Sequence, residues 1–375
     1  MSRVVLLTGA SGFLGKAMLE AFARNRPGDR FLVLSRAASA QVLRERFSWI
    51  DSDRLRYLHG DLSQDDLGLS AADRSDLLAQ TTEVWHLAAS TTFDEKKAPE
   101  LNLVNVEGTR KLLALARELP NLEHFYFTST AYIVGANRIT VPEDELPEVK
   151  SFNNSYEASK WQAERLVRKS DLPFTIFRPS ILLAHSDGEC ENDPRMVYGY
   201  LLALYFALSK HFRGKGVVLK DWLANGHRLE CDFRLVGHYP VTKNFICVDD
   251  AVSTMLAIVN STVDHTRRTY NLTSPTPLSG WQMAEALESV LRVKGLRYVG
   301  DEVSDPSPAE ALASRHTQTF TPYLTHPDPV WPTVNTDTAI NGHHHRPHMT
   351  PRLFTFLLRS FIEQCLIKPS HVGNL

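Results

Sequence analysis

Cysteine is scarce here: four in 375 residues, at 190, 231, 247 and 365, with no two spaced C-x-x-C. The pattern spells neither a zinc ribbon nor a disulfide framework, and a chain this long has core enough without staples. It reads as the usage of a reduced, cytoplasmic protein. Blocks of one charge are missing too. The formal net charge is −2 with no long Lys/Arg run, which argues against nucleic acid as a partner. Long hydrophobic runs are also lacking. The most apolar, "MVYGYLLALYFALSK" (196–210), is shorter than the roughly 20 residues of a membrane span. "MSRVVLLTGASG" at the N-terminus contains no signal-peptide apolar core. Histidines cluster in "GHHHRPH" (342–348), but no cysteine or carboxylate ligand set accompanies them. That stretch is read as an exposed loop, and no metal is expected.

What is present is an ordinary globular composition, 43% hydrophobic and 22% charged, in a chain long enough for one large domain or two fused ones. "RVVLLTG", "RFLVLSR", "LRYLHGDL", "EVWHLAA", "EHFYFTSTA" and "PFTIFRPS" are short apolar runs of the buried-strand kind. Helical stretches alternate with them: "FLGKAMLEAFARN", "VNVEGTRKLLALARELP", which stops at Pro120, and the segment around Tyr156. The alternation predicts an α/β fold, a doubly wound parallel Rossmann sheet with helices on both faces. Residues 1–182 are expected to form it, with 245–273 returning to it. After Ser180 the rhythm changes. Helices are expected at 279–293 and 351–366, separated by long Pro-rich loops. Residues 183–244 and 274–375 are assigned to a smaller, discontinuous C-terminal substrate-binding domain.

"TGASGFLG" follows the first strand and opens a helix. Its glycines allow a tight turn, close approach of a pyrophosphate, and packing of helix on strand, while the helix N-terminus offers free amides. Gly9, Ser11, Gly12, Phe13, Leu14 and Gly15 are therefore expected to hold a dinucleotide. The second strand ends in Ser35 and Arg36 where an NAD-binding chain would place a carboxylate. Arg36 can pair with a 2′-phosphate, which predicts NADPH. "NSYEASKWQAE" sets Tyr156 and Lys160 four apart, on one helix face. "FTSTAYIVG" (127–135) and "FRPSI" (177–181) end strands at the same sheet edge.

Together "TGASGFLG", "GDL" (60–62), "HLAAS" (86–90), "NVEGT" (105–109), "STAY" (129–132), "YEASK" and "RPSI" resemble the extended short-chain dehydrogenase/reductase superfamily, in its order, over residues 4–182. Within it, "GDLSQDDLGLSAADRSDLLAQTTEVWHLAASTTFDE", "STAYIVG", "CVDDAV" and "YNLTSPTPLS" are similar to thioester reductase domains and fatty acyl-CoA reductases of the male sterility type. The resemblance weakens over 183–244 and after 290. The chain starts directly at its first strand and shows no appended C-terminal domain like that of the eukaryotic acyl-CoA reductases, so a free-standing enzyme is expected.

The resemblance implies a catalytic set of Thr130, Tyr156 and Lys160. A phenol titrates near pH 10, and a neighbouring ammonium together with the oxidised nicotinamide would lower that value. Tyr156 would act as general acid, Lys160 would tune it and bond the nicotinamide ribose, and Thr130 would orient the substrate oxygen. Asp61 and Leu62 would flank the adenine. Leu87, Ala88 and Ala89 would line the dinucleotide path, and Pro179 and Ile181 would sit by the nicotinamide. Asn105 is read as a helix brace and Phe93 as either a core aromatic or a substrate contact. The expected function is NADPH-dependent reduction of an acyl thioester, acyl-CoA or carrier-bound. Hydride addition would give a hemithioacetal that collapses to aldehyde and thiol. The same groups would serve a carbonyl reductase acting on a free ketone or aldehyde. A non-catalytic dinucleotide-binding protein or a sugar-nucleotide epimerase fits the motifs less well. Substrate identity and oligomeric state are left open by these motifs.

Overall fold

The computed structural model describes residues 2–137, 139–190, 196–225, 228–341, 346 and 348–364. They fall into two units. The first comprises Met1–Ser180, Ala251–Thr273 and Val330–His345. Seven strands run through it: β1 (Val4–Thr8), β2 (Arg30–Ser35), β3 (Leu55–His59), β4 (Glu83–His86), β5 (His124–Thr128), β6 (Phe174–Pro179) and β7 (Arg268–Leu272). They form one sheet in the order β7-β6-β5-β4-β1-β2-β3, and every pairing is parallel. All five residues of β1 are buried, as a strand covered on both faces must be. Each buried Val or Leu there stabilises the fold by about 1.5–3 kcal/mol relative to exposure.

Chain order reverses between β1 and β4, where Thr8 lies beside both Leu34 and His86. A crevice opens at such a switch point, outside the carboxyl ends of the strands. Three helices aim side chains at that edge. α1 (Phe13–Asn25) buries Leu14, Met18 and Phe22 at four-residue spacing, so its first turn is pinned directly after β1. α2 (Gly108–Arg117) buries Leu112, Leu113 and Ala116, and a π-helical segment, Asn102–Glu107, precedes it. α3 (Ser155–Arg168) buries Lys160 and Glu164 along with Ala163 and Val167. With Glu157 in its first turn, three buried ionisable residues on one helix call for partners.

The stretch Val330–His345 belongs to this first unit, although it was expected in the second. A buried carboxylate explains it. Glu143 accepts hydrogen bonds from Asn335 N (2.6 Å), Thr336 Oγ1 (2.8 Å) and Asn271 N at the end of β7 (2.8 Å). Thr336 Oγ1 also donates to Asn271 O, and Asn271 Nδ2 to Pro332 O.

The second unit comprises Ile181–Asp250, Ser274–Pro329 and Arg346–Leu375. Phe245–Cys247 was expected to rejoin the large sheet; it pairs instead with Ile181–Leu183. The expected long loops after 274 also carry structure: strand Val293–Tyr298, paired with Leu229–Leu235, and helices Pro308–Thr317 and Thr321–Thr325. In the first unit, Val334–Ile340 is a further helix. The apolar run lies in helix Met196–Arg213, which contributes Leu201, Leu204 and Leu208 to the unit's own core. Most of the His-rich stretch (342–345 and 347) lies outside the described residues.

Candidate active site

At two of its glycines, Gly9 and Gly15, the loop leaves no room for a side chain. Gly9 has φ +79°, and a Cβ there would lie 2.5 Å from Ala88 N. A Cβ on Gly15 would lie 2.0 Å from Gly9 O. Gly12 N donates to Gly9 O at 2.9 Å and caps α1 without a side-chain hydrogen bond; no carboxylate occupies the first turn. The start of α1 thus offers backbone amides and the positive end of the helix dipole as a cradle for an anion. That geometry fits a dinucleotide pyrophosphate. Ser11 is exposed at the loop tip, Phe13 is half-buried and Leu14 buried. Leu87, Ala88 and Ala89 lie half-buried just past β4, and Ala88 N donates weakly to Thr8 Oγ1 (3.4 Å).

At the end of β2, Ser35 is buried and donates to Arg36 O (3.0 Å), while Arg36 is exposed. Arg36 lies close enough to Asp61 to act on its charge. Burial works against the Asp61 carboxylate, yet hydrogen bonds from Ser63 N (2.8 Å) and Oγ (2.7 Å), with the charges of Arg36 and His59, hold it below the usual range. Leu62 is buried beside it. Pro179 closes β6, whereas Ile181 opens the first strand of the second unit.

α3 begins where Asn154 accepts a hydrogen bond from Glu157 N (3.0 Å). Its first turn is gripped from outside by Glu95, which accepts from Ser155 N (2.9 Å) and Ser155 Oγ (2.5 Å). Two residues earlier, Phe93 sets its ring 5.8 Å from that of Tyr156. The "FDE" triplet therefore flanks Tyr156. The Thr130 side chain lies near enough to the Tyr156 hydroxyl to favour its ionised form. Burial pushes this phenol up to about 12, against the opposing effect of Thr130. The expected lowering by Lys160 is not found. Lys160 Nζ is turned into the sheet edge, donating to Thr128 O at 2.7 Å and lying 4.4 Å above the Phe127 ring. Burial brings this amine down to about 7, opposed by the charge of Glu164.

Glu164, one turn further, completes a Tyr156–Lys160–Glu164 face. It is fully buried, yet Arg178 (2.5 and 3.1 Å) and Arg168 (2.8 Å) bring its carboxyl to about 2. His86 at the end of β4 bridges Thr8 Oγ1 (2.8 Å) and Thr109 Oγ1 (2.9 Å), and burial keeps it neutral, near 3. Asn105, in the π-helical segment, accepts from Ser90 N (2.8 Å) and donates to Ser90 O (3.0 Å) and Ser159 Oγ (2.8 Å), tying the β4 exit to α3. The sequence reading gave Glu95, Glu164 and His86 no role. Glu95 had a signal in "FDE", and Glu164 in its i+4 place after Lys160.

A doubly wound sheet with Thr130, Tyr156 and Lys160 grouped at its carboxyl edge is the arrangement of an extended short-chain dehydrogenase/reductase. The profile described as male sterility protein, an NAD-binding family, matches residues 7–217, and the chain belongs to that family. Its dinucleotide is thus a nicotinamide cofactor. Human fatty acyl-CoA reductase 2 is 35% identical over 144 residues, 34% of this chain and 28% of that protein. Fatty acyl-CoA reductase 1 of Pongo abelii is 34% identical over 179 residues, 44% of this chain and 34% of that one. The match thus spans about a third of the length of these curated relatives. Among solved structures, the terminal R domain from the myxalamid PKS-NRPS biosynthetic pathway superposes with a TM-score of 0.74 at 23% identity, over 98% of this chain and 92% of that one. Among the described residues no helix is long and apolar enough to cross a membrane.

Proposed function

We propose that this protein is an NADPH-dependent reductase of an acyl thioester, acyl-CoA or carrier-bound, yielding an aldehyde or, after a second reduction, an alcohol. The observation that carries the reading is a buried Tyr156 phenol, raised to about 12, that interacts with the Thr130 side chain and packs its ring 5.8 Å from that of Phe93. Such a phenol stays protonated through the neutral range, the state a proton donor requires. Bound NADPH supplies the hydride. Tyr156 then donates its proton to the oxygen that was the thioester carbonyl, and Thr130 holds that oxygen against the phenol. Lys160 would hold the ribose of the bound dinucleotide, and Arg36 would pair with its 2′-phosphate. The similarity to fatty acyl-CoA reductases supports a thioester over a ketone. The four cysteines, none spaced C-x-x-C, are consistent with the reducing, cytoplasmic setting we propose.

Anaerobic incubation with NADPH and a panel of acyl-CoAs, ketones and aldehydes tests this. Thiol release matched to NADPH oxidation is expected with acyl-CoAs. NADPH oxidation by ketones alone would overturn the thioester reading. Tyr156→Phe should bind NADPH as the parent does and lose roughly 10²- to 10⁴-fold in turnover.

A further inference from the structure

Trp331 stands 200 residues from the "STAY" turn in sequence, yet its indole Nε1–H donates to Ala131 O at 2.9 Å. Its ring also packs edge-on against Tyr132, centroids 5.3 Å apart at 71°. The carbonyl of Ala131 and the amide N–H of Tyr132 belong to one planar peptide group. The N–H side of that group donates to Thr130 Oγ1 at 3.3 Å. The Thr130 side chain in turn lies near enough to the Tyr156 phenol to act on its ionisation. Four groups thus form one chain: indole N–H, peptide 131–132, the Thr130 hydroxyl and the Tyr156 phenol.

The direction of each bond matters. Because the Tyr132 amide donates into Thr130 Oγ1, a lone pair of that oxygen is occupied, and the hydroxyl's own hydrogen is left to point at Tyr156. Gripping the peptide by its oxygen fixes the plane and polarises its N–H in the same sense. Trp331 is itself anchored by the stretch that follows it, where Asn271 Nδ2 donates to Pro332 O (2.7 Å) and Glu143 accepts from Asn335 N and Thr336 Oγ1.

We propose that Trp331 is a positioning residue of the reductive site, acting through the 131–132 peptide to orient the Thr130 hydroxyl toward Tyr156. The proposal rests on Thr130 and Tyr156 being the reacting pair, and its test includes a readout that needs no turnover. The chain is labelled with [13Cζ]tyrosine, and the Tyr156 resonance is assigned by its loss in Tyr156→Phe. Trp331→Phe keeps a ring against Tyr132 and removes the donor; benzothienylalanine at 331 removes the donor without changing the shape. Both should shift the Tyr156 resonance in the same sense as Thr130→Ala, and neither should shift it further when Thr130 is already Ala. With an active substrate, kcat should fall on the order of 2- to 10-fold, the worth of one hydrogen bond, with KM for NADPH unchanged. The double variant Thr130→Ala/Trp331→Phe should be no slower than Thr130→Ala alone. An unmoved Tyr156 resonance in the folded benzothienylalanine chain, or additive losses in the double variant, overturns the proposal. Full activity in Tyr156→Phe would instead overturn the assignment of the reacting pair, while the resonance would still report on Trp331.

Discussion

The ammonium of Lys160 donates to the carbonyl oxygen of Thr128 at 2.7 Å, inside the sheet edge and above the face of Phe127. Held there, it titrates at about 7 rather than 10.5, mainly because it is buried. Between those two values the unfolded chain binds a proton that the folded chain does not, so stability must rise with pH across that window. At and below pH 7 the penalty is fully present. Lys160→Met should therefore melt higher than the parent at pH 6.5, by the equivalent of up to about 4–5 kcal/mol, and the gain should shrink as pH approaches 10. Calorimetry across that range checks it; a variant that melts below the parent at pH 6.5 contradicts it.

Glu164 has the opposite sign. Its carboxyl titrates at about 2 instead of 4.5 because Arg178 and Arg168 outweigh its burial. The stability it contributes is present above pH 4.5 and is lost as pH falls toward 2. Removing the charge leaves two guanidinium groups facing a neutral amide. Glu164→Gln should cost about 3–5 kcal/mol in urea unfolding at pH 7. At pH 2 the gap to the parent should narrow by roughly 3 kcal/mol.

Arg36 is exposed at the end of β2 and lies near Asp61. Arg36→Ala should weaken NADPH binding about 10- to 100-fold, the worth of a charge-assisted hydrogen bond, and leave NADH binding unchanged. Fluorescence titration with both nucleotides measures this. Equal losses for the two would remove Arg36 from the 2′-phosphate.

Gly15→Ala places a methyl carbon 2.0 Å from Gly9 O, a backbone atom that cannot move aside without reshaping the loop. The variant should lose dinucleotide binding at least tenfold and melt lower. Gly28→Ala, where nothing lies within 4 Å, is the control and should change neither by more than about 0.5 kcal/mol. Equal behaviour of the two variants would falsify the cradle.

The parts of the fold that the sequence made legible are those whose signal is local. "VVLLT" could hardly be other than a buried strand, and a Gly-rich turn between it and an apolar-striped helix carries its own explanation. The later Pro-rich region was misread for a physical reason. In "SPAE" (307–310), Pro308 sits at the first helical position, with Ser307 and Glu310 forming a reciprocal cap. Proline starts that helix, and reading it only as a breaker turned the segment into loop. Tyr156 and Lys160 were legible through spacing. The state of the phenol was not, because it is set by burial, which spacing does not reveal, while the Lys160 Nζ is held by Thr128 O across the chain. Trp331 carries no sign at all in "VWPTVN"; its meaning comes from the peptide it touches.

Glu143 has a consequence for how this chain can be divided. Its carboxylate is filled by Asn271, Asn335 and Thr336, so the first unit is complete only when three separate stretches of polypeptide are present. A fragment ending before Val330 would keep every glycine-loop residue, Thr130, Tyr156 and Lys160, yet strand a buried carboxylate and free the 131–132 peptide from its indole. Dissection of this protein by cutting at one boundary would then remove part of the catalytic half together with the half it was meant to discard.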